Sequence, residues 1–323
     1  MTKRAQFTIG MTVTAALAAG FAGPAAAATI AVKDIVSKYN LVTSGDATTS
    51  SDIEGSTVVG GTFTGATVFN NNVPANPELY VFGKLGNTSS HKVNLTANKS
   101  MAIYGPSGPN AINANQYNCN GTCALSNTLP TAPHAASDFT APLNALSSQL
   151  DGLTANSTIT TGNSQAKFNA VANADGFAVF DVTGAALQAD LANNSVVFNV
   201  GSGVKGIFVN VNGNFSQPGG TNWNPPVLQD VIFNFYNATT VSTGNWMSSI
   251  LAPDATVGIN SGGNINGFLY AKTYTGGGEL HNYGYTGALP SAAPEPATWA
   301  LLGLGFAGLG FAGARRRRSP IAI

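Results

Sequence analysis

Arginine does not occur between Arg4 and Arg315 of this 323-residue chain, so eight lysines alone face fourteen carboxylates there. The resulting net charge of about −6 argues against a phosphate-binding surface, and so against nucleic acid as a partner. Charged residues make up only 9% of the sequence, with Asn, Thr, Ser and Gly in their place. Uncharged polar surfaces of this kind are common in secreted β-rich proteins. Histidine is as scarce: His91, His134 and His281 stand far apart, with no His-x-x-x-His pair or Cys/His cluster for zinc. No Gly-x-Ser-x-Gly elbow occurs, and the carboxylates are too scattered to name a glycosidase pair. No catalytic residue, metal ligand or cofactor site follows from the sequence.

Two local patterns invite chemistry and have plainer explanations. Glu279 and His281 lie two apart, so on a strand their side chains share one face. A base beside an acid is conceivable there, but a hydrogen-bonded end to the last strand explains the pair more simply. Gly303, Gly305 and Gly308 fit G-x-G-x-x-G, yet they sit in an apolar run with no βαβ unit, so the dinucleotide reading carries no weight.

Cysteine is limited to Cys119 and Cys123, flanking Asn120-Gly121-Thr122. In an oxidising compartment such a pair is expected to close a small disulfide loop that pins an exposed turn and adds little global stability.

What is present is a succession of short strands punctuated by Gly and Asn. Val32, Ile35, Val36 and Tyr39 fall at i, i+3, i+4, i+7 and predict a short helix. Residues 52–61, 93–95, 101–104, 195–200, 206–211, 231–235, 255–259 and 265–270 read as strands. Phe139, Leu143, Leu146, Leu150 and Leu153 form a single apolar helical stripe near 138–153. Asp138 or Thr140 could cap this helix, with Pro142 tolerable only in its first turn. The expected fold is mainly β: a β-solenoid (parallel β-helix-like) with one flanking α-helix, the alternative being a β-sandwich. Val257, Ile259, Ile265, Leu269 and Tyr283 are expected to point inward in the closing part of the core. Thr62/Thr64, Thr158/Thr160 and Thr273/Thr275 each place two hydroxyls on one strand face. Ice-binding surfaces stack such pairs, but pairs this far apart in the chain form no evident array, and a Thr-rich composition accounts for them.

Both ends carry targeting signals. Lys3 and Arg4 precede an apolar stretch and a run of alanines, predicting a signal peptide over 1–28 with cleavage after Ala28. At the other end Pro294-Glu295-Pro296 precedes an apolar run over 297–314, long enough to cross a membrane, and then four arginines that would stay in the cytoplasm. This tail resembles the PEP-CTERM sorting signal of Gram-negative bacteria, which implies exosortase as a partner, transient inner-membrane anchoring through 297–314, and delivery to the cell surface or beyond.

The blocks at 250–257, 265–272 and 278–283, with Asp52-Ile53-Glu54-Gly55 and the single helix, resemble the choice-of-anchor A family. The Ile-Leu-Ala-Pro and Ile-Asn-Gly blocks also resemble ice-binding-type adhesion domains, which are β-solenoids flanked by one helix. Together these imply three parts: a signal peptide over 1–28, a β domain over 29–290 and a sorting tail over 291–323. The implied function is that of an exported adhesin or matrix-binding protein whose ligand is an exopolysaccharide or matrix protein. The competing function is a polysaccharide-processing β-helix enzyme of the extracellular matrix.

If the tail is a sorting signal, mass spectrometry of surface-released protein from an exosortase-bearing strain yields no peptide beyond about Ala297. Peptides from the apolar run or the terminal arginines in that product would overturn the assignment.

Overall fold

A computed structural model describes residues 30–70, 78–97, 101–120, 122–128, 135–225, 228–260 and 262–291. Ala28 and its leader, Pro294-Glu295-Pro296, the run 297–314 with its glycine pattern, the terminal arginines and His134 lie outside the described residues. Among the described residues no helix is long and apolar enough to cross a membrane.

Short strands separated by glycine and asparagine corners wind into a three-sided β-solenoid. Nearly every pairing is parallel, which excludes the sandwich; the exception is the antiparallel hairpin of Thr158–Gly162 with Gln165–Ala170. The first side stacks ten strands in the spatial order Cys123–Ser126, Met101–Tyr104, Glu78–Val81, Ser56–Val59, Tyr39–Thr43, Leu269–Gly276, Ser248–Ile259, Leu228–Asn234, Gly206–Asn212 and Phe177–Thr183. The chain therefore starts in the middle, winds out to one end, crosses to the other end and winds back. Its first and last coils meet at a central seam, where Leu41, Val42 and Thr43 align with Leu269, Tyr270 and Ala271. The stretch expected to close the core thus lies at its centre.

The crossing is made by helix α2 (Ser137–Asp151), the second of three helices after α1 (Val32–Lys38) and before α3 (Gly184–Leu191). Fifteen helical residues reach about 22 Å, close to the span of five strands at about 4.8 Å. Helix α2 lies on the outside of the ten-stranded side, whose central strands are consequently buried on both surfaces. Leu41, Val59, Ile207, Phe233, Ile250 and Leu269 point into the solenoid, while Val42, Val58, Phe208, Ile232, Leu251 and Tyr270 point at the helix. Double burial explains why these strands read as unbroken apolar runs. Phe139, Leu143, Leu146 and Leu150 supply the helix side of that interface, and Leu153 packs beside it just past the helix end.

Four details differ from the sequence reading. Helix α2 begins at Ser137 with no side-chain cap at Ala136, so Pro142 falls in its second turn. Tyr283 is half-buried and outside the core, whereas Val257, Ile259, Ile265 and Leu269 are within it. Residues 52–61 are two strands on different sides, Asp52–Ile53 and Ser56–Val59. Helix α3 also escaped the strand-centred reading, although Thr183 caps it by accepting from the Ala186 N–H at 3.1 Å.

Corners tolerate close stacking because they lack side chains. A Cβ on Gly83 would collide with the Gly61 backbone, and one on Gly61 with the Gly45 backbone and the Asp46 carboxylate. Cys119 and Cys123 are joined by a disulfide, Cα–Cα 6.2 Å, where the chain turns from Tyr117–Asn120 into the outermost strand.

Leu146 and Leu150 are 2% and 0% exposed, so Leu146→Ala or Leu150→Ala should each cost about 2–5 kcal/mol in urea melts. Losses within about 0.5 kcal/mol would mean that the helix is not docked.

Candidate functional site

The second side of the solenoid is built from Lys84–Leu85, Thr62–Thr64, Ala47–Thr49, the far halves of Leu269–Gly276 and Ser248–Ile259, Thr240–Thr243 and Phe215–Ser216. Strand alternation sends one row inward: Leu85, Phe63, Ala47, Tyr274, Val257, Val241 and Phe215, all buried. The residues on either side of that row point outward in two ladders.

One ladder runs through Thr62, Thr273, Thr256 and Thr240, with Lys84 at its end. The other runs through Thr64, Thr48, Thr275, Gly258, Ser242 and Ser216. Asp46, between the strands of Thr62 and Thr273, accepts from the Thr62 N–H at 2.7 Å. The Thr256 and Thr273 hydroxyls are 2.7 Å apart, and Thr48, Thr64, Thr240, Thr256, Thr275 and Ser216 are exposed. Side chains repeat about every 4.8 Å across the strands and about 6.6 Å along them. Threonine is stiff at χ1, so the hydroxyls form a fixed two-dimensional lattice. Apart from Asp46 and Lys84 this lattice carries no charge.

The structure brings two of the three threonine pairs into one array, against the expectation that they form none. Thr62/Thr64 and Thr273/Thr275 are separated only by the strand Ala47–Thr49, because the seam brings the two ends of the sequence together. Thr158/Thr160 stays apart, on the antiparallel hairpin. Thr240-Val241-Ser242 and Thr256-Val257-Gly258 carry the same alternation, and that was the available signal for the remaining members.

The third side holds Glu279 and His281. His281 Nε2 lies 2.8 Å from Glu279 Oε2, and its Nδ1 lies 2.7 Å from Asn266 Oδ1 and 3.1 Å from Asn264 Nδ2. Both ring nitrogens are engaged, and the ring borders a cavity of about 240 Å³ with Ser51 and four glycines. Among the described residues no group of three or more His, Cys, Asp or Glu could hold a metal ion.

A family model described as a putative ice-binding-like adhesive domain matches residues 33–282, and one for the PEP-CTERM protein-sorting motif matches residues 292–318. Neither description is that of an enzyme. Among solved structures, an ice-binding protein from the Antarctic ascomycete Antarctomyces psychrotrophicus is similar at 12% identity and a TM-score of 0.32, over 80% of this chain and 100% of that one. No curated protein matches the chain.

With Glu279 half exposed, the Glu279–His281 pair should add little stability. Glu279→Ala should melt within about 1 kcal/mol of the parent. A loss well above that would make the pair a structural anchor.

Proposed function

We propose, for a chain that belongs to the ice-binding-like adhesive domain family and carries a PEP-CTERM sorting motif, that the mature protein is an adhesin displayed outside a Gram-negative cell. It holds matrix exopolysaccharide along the hydroxyl lattice. The observation that carries this reading is the double ladder itself: hydroxyls at fixed repeats suit a partner that also repeats. A partner with ordered hydroxyls can match many weak hydrogen bonds at once, so affinity accumulates by multivalency and not from one deep pocket.

In this reading residues 1–28 are the signal peptide, cut after Ala28; 29–290 form the adhesive domain; and 291–323 are removed by exosortase near Pro294-Glu295-Pro296. Until then 297–314 holds the chain in the inner membrane. The blocks at 250–257, 265–272 and 278–283 support grouping it with the choice-of-anchor A adhesins. A non-enzymatic role is supported by the family descriptions.

Attachment geometry supports display. Lys33 of α1 donates to the carbonyls of Tyr285 and Gly287, and its ammonium lies 4.7 Å over the Tyr285 ring. The Tyr285 N–H donates to Val36 at 2.9 Å, and Gln149 of α2 reaches Ser291. The last described residues, up to Ser291, therefore lie beside the helices, on a different side of the solenoid from the hydroxyl ladders.

Binding of ice is a second reading, favoured by the same two-dimensional lattice. Thr48 and Thr275 are aligned neighbours and both exposed, so Thr48→Tyr with Thr275→Tyr breaks the lattice at its centre. The double variant should melt like the parent yet lose about tenfold or more in co-sedimentation with the producing strain's exopolysaccharide. Unchanged sedimentation would remove this side as the adhesive one. Loss of ice adsorption, with polysaccharide binding absent from the parent, would establish the second reading instead.

A further inference from the structure

Where the ten-stranded side turns into the hydroxyl side, one corner residue per coil faces the flank of α2. Two cavities of about 400 and 270 Å³ lie along this corner, and they share Asp151 and Tyr236, so they adjoin along one groove line. The solenoid wall presents Lys272, Asp254, Tyr236, Asn212 and Asp181, from successive coils. Five coils at about 4.8 Å give a groove of roughly 20 Å, parallel to the solenoid axis. The helix wall presents Asn144, Ser148 and Asp151, at i, i+4 and i+7, a polar stripe beside the apolar one that docks α2.

The floor is fixed before anything binds. Tyr270 donates its hydroxyl to Asn144 at 2.7 Å. Ser147 donates to Asn234 at 2.6 Å, Asn234 to Asn210 at 3.0 Å, and Asn210 to the Leu150 carbonyl at 2.7 Å. These buried amides satisfy one another and a carbonyl of the helix end, so the two walls cannot drift apart without breaking the chain of bonds. A preformed groove spends little ordering entropy on its ligand.

We propose that this groove is a binding site for a single linear saccharide chain of neutral or amine-bearing sugars, separate from the hydroxyl lattice. Tyr236 is half-buried at the junction of the two cavities and offers a ring against which the apolar face of a pyranose can lie. Carboxylates are acceptors only, so Asp151, Asp181 and Asp254 suit the donating hydroxyls or ammonium groups of such a chain. Burial and the nearby charges of Asp151 and Asp181 raise the Tyr236 phenol above its ordinary pKa, as expected where two carboxylates converge on it. Three carboxylates against the one ammonium of Lys272 would repel uronates and other anionic polymers.

Titration calorimetry of the processed, secreted protein tests this with a cello-oligosaccharide, a glucosamine oligomer and an oligouronate of equal length. The first or second should bind, the third should not, and added salt should weaken only the glucosamine oligomer. Tyr236→Ala and the milder Asp151→Asn should each lower affinity about tenfold or more, with melting temperature monitored in parallel. Asp151 is exposed, so its variant keeps the test valid if Tyr236→Ala unfolds. The Thr48→Tyr/Thr275→Tyr protein should bind the soluble oligomers as the parent does, which separates this site from the adhesive side. No binding of any oligomer at millimolar concentration, equal binding by Asp151→Asn, or preference for the oligouronate would overturn the proposal.

Discussion

The seam between Tyr39–Thr43 and Leu269–Gly276 is the constraint on which the rest of the molecule depends. It joins strands from opposite ends of the sequence by parallel pairing, in register from Leu41 with Leu269 to Thr43 with Ala271. The same closure recurs on the other two sides, where Thr48 aligns with Thr275 and Ile53 with Leu280. Without it the molecule would be two short stacks, each with an unpaired inner edge of the sort that promotes association. With it, the edges at the centre vanish and only the outer ends need covering. At the far end the backbone of Asn156 and Ser157 bonds to Val179 of the last strand, and α3 packs beside Phe215–Ser216.

A chain that starts in the middle must return across the outside, and that geometry sets the role of α2. Its apolar stripe turns the middle of the ten-stranded side from a solvated surface into a layer buried on both faces. Its length covers about half of the ten strands, those at and beyond the central seam. The polar residues in this layer are not exceptions to the packing. Asn210 and Asn234 lie in register on adjacent strands and bond to each other and to the end of the helix. Burying an amide without partners is costly, so these contacts also fix where along the sheet the helix can stop.

The sequence made some of this legible and hid the rest for a physical reason. Periodicity is local, so α1 and α2 could be read from the spacing of Val32, Ile35 and Val36 and of Phe139 to Leu150. Strand content and a solenoid were likewise open to reading from runs such as 206–211 and 231–235. Helix α3 was missed because its apolar stripe is weak, although Thr183 followed by Gly184-Ala185-Ala186-Leu187 is a capped run with good helix formers. The hydroxyl ladders were invisible for a different reason. Thr48 and Thr275 are neighbours in space through a pairing that no local pattern encodes. The groove beside α2 is harder still, since each coil donates one residue to it and the spacing between donors varies with coil length.

The sides of the solenoid consequently divide the work by chemistry. The ten-stranded side gives up its outer surface to α2, α1 and the segment over 283–291. Among the described residues the hydroxyl side remains open because its outward residues are small, and small side chains in register offer no ridge for a helix to pack against. That same smallness leaves hydroxyls at fixed repeats. Docking the helix on one side and leaving the next side bare both follow from side-chain size along the strands. Bulky outward residues at Val58, Phe208 and Leu251 recruit a cover, whereas Thr48, Thr256 and Thr275 leave a surface on which a repeating partner can rest.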